Sequence, residues 1–301
     1  MNSLLALREQ FLAGEITKSD YMDKMMSNHN RLFDYMELMN DSTVQTIEIQ
    51  HNRVIVSLKD TGIKLVCIKN DKGLIPFTIL NFGAYEEKLW DKAFALIGNP
   101  QAILDIGANI GYFSLYFATK FPSTKIYAFE PIPNTFDSMK ENIQLNHVGN
   151  IESFNLGLTD KKKKLEMFYN PEGCGSSSLK DLLGATCTRK VECAFSTVDD
   201  FILEKNITHL DFIKCDVEGA EKFVYEGAFK TIERFRPLIF SEMLRKWSAK
   251  FDYHPNEIIQ FFKKLDYACY AISEATFEKI TEVTEETVET NFLFKPREIA
   301  Q

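Results

Sequence analysis

Beyond residue 100 the chain alternates short apolar runs with helix-like stretches, and few folds accept that order. Residues 102–106, 125–130, 151–156, 210–215, 238–242 and 267–272 have the length and apolar content of strands, and 291–294 is a last candidate. Between them, 112–121, 134–146, 218–234 and 255–265 carry apolar residues at helical spacing. Strand followed by helix in regular turn predicts right-handed crossovers, hence an α/β fold: a doubly wound, mostly parallel sheet with helices on both faces. Such sheets bind ligands at the carboxyl ends of their strands, which is where chemistry is to be sought.

Residues 1–90 read differently. Tyr21, Met22, Met25, Met26, Leu32, Phe33, Met36 and Met39 recur at helical spacing within 17–39. The stripe reads first as a packing face, and otherwise as an adaptable lid or dimer surface. Thr17, with Asp20 three residues on, is a helix cap. Short strands follow at 46–49, 53–59 and 63–69, parted by turns at His51-Asn52 and Asp60-Thr61-Gly62. The expectation is an N-terminal helix plus small β extension over 1–80, acting as lid or oligomer contact. An α/β domain then covers 81–301, with an irregular insertion near 160–190.

Composition narrows the function. Lys and Arg number 35 against 43 Asp and Glu, for a net charge of −8. That balance disfavours a sequence-independent grip on nucleic acid, which needs a cationic surface. The longest basic run, 161–164, reads as a solvated hairpin tip. No apolar stretch reaches the ~18 residues of a membrane span, and the N-terminus lacks the pattern of a signal peptide. The cysteines (67, 174, 187, 193, 215 and 269) form no C-x-x-C pair, and the five histidines no metal-binding spacing. Reduced, buried thiols, a cytoplasmic location and no zinc are the expectations.

The first strand of the α/β region runs into Asp105-Ile106-Gly107-Ala108-Asn109-Ile110-Gly111. Its glycines permit a tight turn and a close approach of backbone to ligand. The run is not the dinucleotide fingerprint, because Asn109 stands in the second glycine's place and the third glycine is missing. The second strand ends in Glu130, placed to accept hydrogen bonds from two ribose hydroxyls. Together they indicate a nucleoside-containing cofactor. Adenosylmethionine suits them better than a dinucleotide, since it carries no phosphate and its cationic groups match an acidic loop residue such as Asp105. A nicotinamide-dependent oxidoreductase is the third reading. The Tyr116 and Lys120 pair it would use lies inside a helix pattern, where chance accounts for it.

Over residues 81–296 the chain resembles the FkbM-type family of S-adenosylmethionine-dependent O-methyltransferases. The resemblance is carried by Phe82-Gly83-Ala84-Tyr85-Glu86, the 104–113 glycine loop, Phe129-Glu130-Pro131, Leu158-Thr159-Asp160 and Thr197-Val198-Asp199-Asp200-Phe201. Its most specific element is Lys214-Cys215-Asp216-Val217-Glu218-Gly219-Ala220-Glu221. It implies a class I methyltransferase-like sheet of seven strands, the last antiparallel. It also implies that Asp105, Gly107, Asn109 and Gly111 hold the methionine part of S-adenosyl-L-methionine and Glu130 its ribose, with Gly157, Leu158 and Asp160 beside the adenine. The acceptor class it implies is a small hydroxyl-bearing molecule, such as a sugar, a glycan or a secondary-metabolite intermediate.

The chemistry then needs a group to take the hydroxyl proton, because an aliphatic hydroxyl is a poor nucleophile with a pKa near the ~15.7 of water. Lys214, Asp216, Glu218 and Glu242 all fall at the carboxyl end of the sheet. Lys214 and Asp216 are two apart, hence on one side of an extended strand. Asp216 with Glu218 or Glu242 would also suit Mg²⁺, a cation that takes oxygen ligands. The bland readings are an ion pair for Lys214 and Asp216, a helix-entry charge for Glu218 and a supporting acceptor for Glu242. A nucleic-acid methyltransferase is disfavoured, since no Asn-Pro-Pro-aromatic or Asp-Pro-Pro-aromatic motif follows the fourth major strand. A non-catalytic binding module would be expected to have lost Asp105, Glu130 or Asp216, and all three are present.

Overall fold

The computed structural model describes residues 3–85, 87–182, 184 and 188–297. Helices α1 (Leu4–Leu12), α2 (Lys18–His29) and α3 (Arg31–Asn40) come first. The 17–39 stripe is therefore two helices meeting at Asn30, and Thr17 caps the first by accepting from the Asp20 N–H at 3.1 Å. Among the described residues neither α2 nor α3 buries a side chain. Met22, Met26, Leu32, Phe33 and Met36 are each more than half exposed, while Met39 packs against the core and Tyr21 stacks on Phe11, so the stripe serves as a packing face only in part. Strands β1 (Val44–Ile49), β2 (Val54–Leu58) and β3 (Lys64–Cys67) follow as an antiparallel meander. Helices α4 (Ile75–Phe82) and α5 (Glu87–Ile97) lead into the main sheet.

That sheet begins with β4 (Ala102–Ile106), α6 (Tyr112–Lys120), β5 (Lys125–Phe129), α7 (Pro133–Leu145) and β6 (Ile151–Phe154). A side sheet intervenes, made of β7 (Gly157–Leu158), β8 (Lys163–Tyr169) and β9 (Arg189–Ser196) in the order β7-β9-β8. The stretch expected to be irregular near 160–190 thus contains β8 and the first residues of its antiparallel partner β9. The basic run 161–164 is not the hairpin tip its composition suggested: it leads into β8, where Lys163 pairs with Phe195 near the end of β9. It is ion-paired, Lys161 and Lys163 with Asp160, Lys162 with Glu204 and Lys164 with Glu192. The chain continues through α8 (Val198–Glu204), β10 (Phe212–Cys215), α9 (Glu221–Glu226), α10 (Phe229–Phe235), β11 (Leu238–Glu242), α11 (Arg245–Ser248), α12 (Asn256–Lys264), β12 (Tyr267–Ile272), β13 (Phe277–Ile280) and β14 (Asn291–Pro296).

The main sheet runs β6-β5-β4-β10-β11-β14-β12-β13. β6, β5, β4, β10 and β11 are parallel, and β14 enters antiparallel between β11 and β12. This is the seven-stranded class I methyltransferase sheet with its antiparallel final strand, extended by β13 as an eighth edge strand. One face packs Leu104, Ile106, Ile213 and Ile239 against α8, α9, α10 and α12. The other packs Ile103, Phe212, Phe240 and Leu293 against α5 and α6, and the same core takes in Val44, Val56, Leu58 and Leu65 from the N-terminal meander.

The helix anticipated over 218–234 starts later and divides. Glu218 and Gly219 take positive φ values of 55° and 98°, so α9 begins at Glu221. The break between α9 and α10 falls at Gly227, where a Cβ would stand 2.1 Å from the Thr159 carbonyl oxygen. Cys174, Cys193, Cys215 and Cys269 are buried free thiols, whereas Cys67 is only partly buried. Cys187 lies outside the described residues. Among the described residues no helix is long and apolar enough to cross a membrane.

Candidate functional site

β4 and β10 are parallel neighbours in register, so Asp105 and Lys214 stand side by side on one face of the sheet. Asp105 is 0% exposed and Lys214 2%, and charges buried that deeply persist only when paired. Lys214 Nζ donates to the Gly107 carbonyl oxygen at 2.9 Å. It also lies 3.3 Å from Asp216 Oδ2, 3.6 Å from Asp105 Oδ1 and 4.9 Å from the centroid of the Phe113 ring. Ser114 Oγ donates to Asp105 Oδ2 at 2.6 Å. Burial raises the Asp105 pKa, while the ammonium and the Ser114 hydroxyl draw it back. Burial alone would lower the Lys214 pKa, but Asp216 and Asp105 outweigh it and hold the ammonium above its ordinary value. The two carboxylates thus favour Lys214 as an ammonium.

The glycine loop lies over this cation. Gly107 has φ 77°, and Asn109 also takes a positive φ, 50°. The Asn109 N–H donates to Glu130 Oε2 at 3.1 Å, and the Ile132 N–H donates to Oε1 at 2.8 Å. Glu130 is 7% exposed, and burial pushes its carboxyl up to about 7 against the pull of those two donors.

After β10 the chain turns sharply through Asp216, Val217 and Glu218. Glu221 closes the turn by accepting from the Val217 and Gly219 N–H groups at 3.1 and 3.0 Å, and the Tyr253 hydroxyl donates to its other oxygen at 3.2 Å. Ser178 Oγ donates to the Glu218 carbonyl oxygen at 2.9 Å, tying the side sheet to the same turn. Burial first, then the charges of Asp216 and Glu221, lift the Glu218 carboxyl to about 9. Carboxylate oxygens of Asp216, Glu218 and Glu242 lie within 4.8 Å of one another.

These groups surround a cavity of about 310 Å³ at the carboxyl end of the sheet. Gly107, Asn109 and Glu130 line it, as do Gly157 and Leu158 from β7 and Lys214, Asp216, Glu218 and Glu242. Asp105, Gly111 and Asp160 are not among its lining residues. Asp105 sits beneath the loop, and Gly111 packs against Met139, whose Cγ a Cβ there would approach to 2.8 Å. Asp160 is turned to Lys163 and Lys161 of the basic run.

Sequence reasoning had assigned no role to Gly73, Ile75 and Tyr85, which reach the cavity from the N-terminal part, nor to Cys174 and Leu179, which reach it from the side-sheet segment. Ser176 and Ser177 are also on its wall. Asp71, 2% exposed, joins the two walls. Its Oδ1 accepts from the Gly73 N–H and its Oδ2 from the Cys174 N–H, both at 3.1 Å. The Asp71-Lys72-Gly73 turn was the available signal, but nothing in its spacing names the distant loop it holds.

A glycine loop and a buried acidic strand end thus stand over one cavity at the carboxyl edge of a sheet of the class I methyltransferase type. The chain belongs to the FkbM methyltransferase family: the family's Methyltransferase FkbM domain matches residues 105–269. Methyltransferase sdnD of Sordaria araneosa is 31% identical over 173 residues, covering 48% of this chain and 67% of that protein. Methyltransferase 1 of Beauveria bassiana is 30% identical over 162 residues, covering 48% of this chain and 65% of its own length. The 2-O-methyltransferase NoeI of Sinorhizobium fredii is 25% identical over 170 residues, 52% of this chain and 68% of that one. The chain thus spans about two thirds of the length of these relatives.

Proposed function

We propose that this chain moves a methyl group from S-adenosyl-L-methionine to a hydroxyl of a small molecule, a sugar, glycan or secondary-metabolite intermediate. The observation that carries the reading is one cavity walled by both Glu130 and Asp216, with the Lys214 ammonium fixed between the Gly107 loop and Asp216. Each Glu130 oxygen accepts one backbone N–H and keeps a lone pair for a ribose hydroxyl. Gly107 and Gly157 offer bare backbone on the same wall. A Cβ at Gly157 would strike the Phe195 ring at 2.2 Å, so that position has room for glycine only. When bound, S-adenosyl-L-methionine supplies a methyl group already activated on a sulfonium.

The chain's own part is to align the acceptor and take its proton. Alignment of reactants removes roughly 7–11 kcal/mol of a barrier. Asp216, partly exposed to the cavity and held by Lys214 at 3.3 Å, is the proton acceptor. Glu218, lifted to about 9, keeps its proton at neutral pH and serves as a hydrogen-bond donor toward the acceptor. Glu242 completes that rim. The hydroxyl acceptor is supported by relatives named as O-methyltransferases, NoeI among them. The free thiols of the described cysteines fit a reducing, cytoplasmic compartment.

A second route to the same proton loss is a divalent cation on Asp216, Glu218 and Glu242, favoured by the 4.8 Å grouping of their oxygens. Chelator-treated protein that regains turnover only with added Mg²⁺ would establish it, and full turnover in chelator would remove it. The function itself is tested by incubating the protein with S-adenosyl-L-methionine and a panel of sugars and polyols. Acceptor-dependent release of adenosylhomocysteine, with one methyl gained on an oxygen, is the expected result. Cofactor binding with no transfer to any acceptor would favour a binding module, and NAD(H) binding in its place an oxidoreductase.

A further inference from the structure

We infer that Asn142 is a positioning residue for the cofactor loop, its buried amide coupling the edge of the N-terminal β-meander to the turn at 107–111. The inference rests on reading that turn as the adenosylmethionine site. Asn142 lies in α7 and is 0% exposed. A primary amide is retained in such a place only when both of its ends find partners. Here Oδ1 accepts from the Val66 N–H on β3 at 2.9 Å, and Nδ2 donates to the Ile110 carbonyl oxygen at 2.9 Å. The orientation follows from chemistry, since a backbone N–H only donates and a carbonyl oxygen only accepts.

β3 is an edge strand of the meander, and α7 completes that edge with two asparagines one helical turn apart. Asn146 takes both groups of Lys64, its Oδ1 accepting from the N–H at 2.8 Å and its Nδ2 donating to the carbonyl at 2.7 Å. The two residues therefore share the work of docking the meander. Only Asn142 also reaches the loop. The Ile110 carbonyl it holds belongs to the residue after Asn109, whose N–H orients the Glu130 carboxylate. Met139, one turn earlier on α7, packs against Gly111, so the helix grips the loop at two successive residues. Because Gly73 and Ile75 follow the meander and wall the cavity, the contact links that wall to the cofactor loop. Coupling of this kind is reciprocal: cofactor binding must tighten the β3 edge as much as the edge supports binding.

The test is a matched pair of variants in the full chain, Asn142→Leu and Asn146→Leu, each removing two bonds to the meander or loop and each compatible with a helix. Adenosylhomocysteine affinity is measured by calorimetry beside the melting temperature. Both variants are expected to melt lower, but only Asn142→Leu should bind about tenfold more weakly, the loss of one buried hydrogen bond at the loop. Asn146→Leu should bind within about twofold of the wild type. Equal affinities in the two variants, whether both reduced or both intact, would overturn the inference while wild-type binding leaves the functional reading standing. Wild-type protein that fails to bind would instead remove the functional reading and the inference with it. If Asn142→Leu does not fold, hydrogen exchange on the wild type decides. Saturating adenosylhomocysteine should slow amides at 64–67 more than those at 44–49, and an equal response would contradict the coupling.

Discussion

Gly107 and Asp216 meet backbone to backbone: a Cβ on Gly107 would stand 1.8 Å from the carbonyl oxygen of Asp216. Lys214 fastens the same junction, donating to the Gly107 carbonyl while pairing with the Asp216 carboxylate. The loop assigned to the cofactor and the turn that carries the carboxylate assigned to the proton are thus interlocked through their backbones, so a backbone displacement in either is transmitted to the other.

Gly107→Ala should be among the most harmful small substitutions in the chain. It places a side chain at φ 77° and drives it into backbone that cannot yield. A loss of about 3 kcal/mol in urea unfolding is expected, together with loss of adenosylhomocysteine binding. A wild-type unfolding midpoint would show that the two loops are not interlocked as described.

Lys214→Met removes the cation from beneath the loop and leaves the fully buried Asp105 without its ion. Breaking a buried pair from one side costs about 3–5 kcal/mol. Adding Asp105→Asn to Lys214→Met should recover part of that loss, since a neutral amide needs no counter-ion. Additive losses in the double variant would mean that the two groups do not act as a pair.

Glu130 predicts a pH dependence with a definite sign. Its folded value of about 7 lies above the ordinary 4.5, because burial disfavours the carboxylate. The folded protein therefore holds a proton that the unfolded chain releases. This contribution to stability is complete below about 4.5 and is lost as the pH climbs through about 7. Glu221, also lifted to about 7 by burial, acts in the same direction. Ribose hydroxyls donate to the carboxylate form, so adenosylhomocysteine affinity should rise as Glu130 ionises. Glu130→Gln should bind weakly and lose that slope. An unchanged slope in the variant would assign the titration to another group.

Asp216→Asn separates binding from chemistry. The amide keeps the shape of the turn but takes up no proton, so cofactor affinity should stay near wild type while turnover falls by about 10²–10⁴. Unchanged turnover with any accepted substrate would remove Asp216 as base or ligand.

What could be read ahead of the structure depended on whether the cause was local. The strands Ala102–Ile106, Leu238–Glu242 and Tyr267–Ile272 coincide with apolar runs bounded by polar residues or turns, and their limits are legible in sequence. The start of α9 is not, because Glu218 and Gly219 turn left-handed under a closure supplied by Glu221 and Tyr253. The apolar stripe of α2 and α3 shows that a helix has an apolar face, but periodicity carries no information about what covers it. At the site, Glu130, Lys214 and Asp216 follow from strand ends, which parallel sheets bring together by topology. Asp105 and Lys214 are legible as charges, yet their depth under Gly107 depends on strand register. Asp71 and Asn142 act on loops far away in sequence, so only the packed molecule reveals their partners.

The most direct measurement of the central claim is calorimetric titration of the wild-type chain with adenosylhomocysteine, set beside NAD⁺ under the same conditions. The account predicts saturable one-site binding of adenosylhomocysteine, abolished by Gly107→Ala and retained in Asp216→Asn, with no heat from NAD⁺. Binding of NAD⁺ in preference to adenosylhomocysteine, or adenosylhomocysteine binding that Gly107→Ala leaves intact, would contradict the assignment of the cavity.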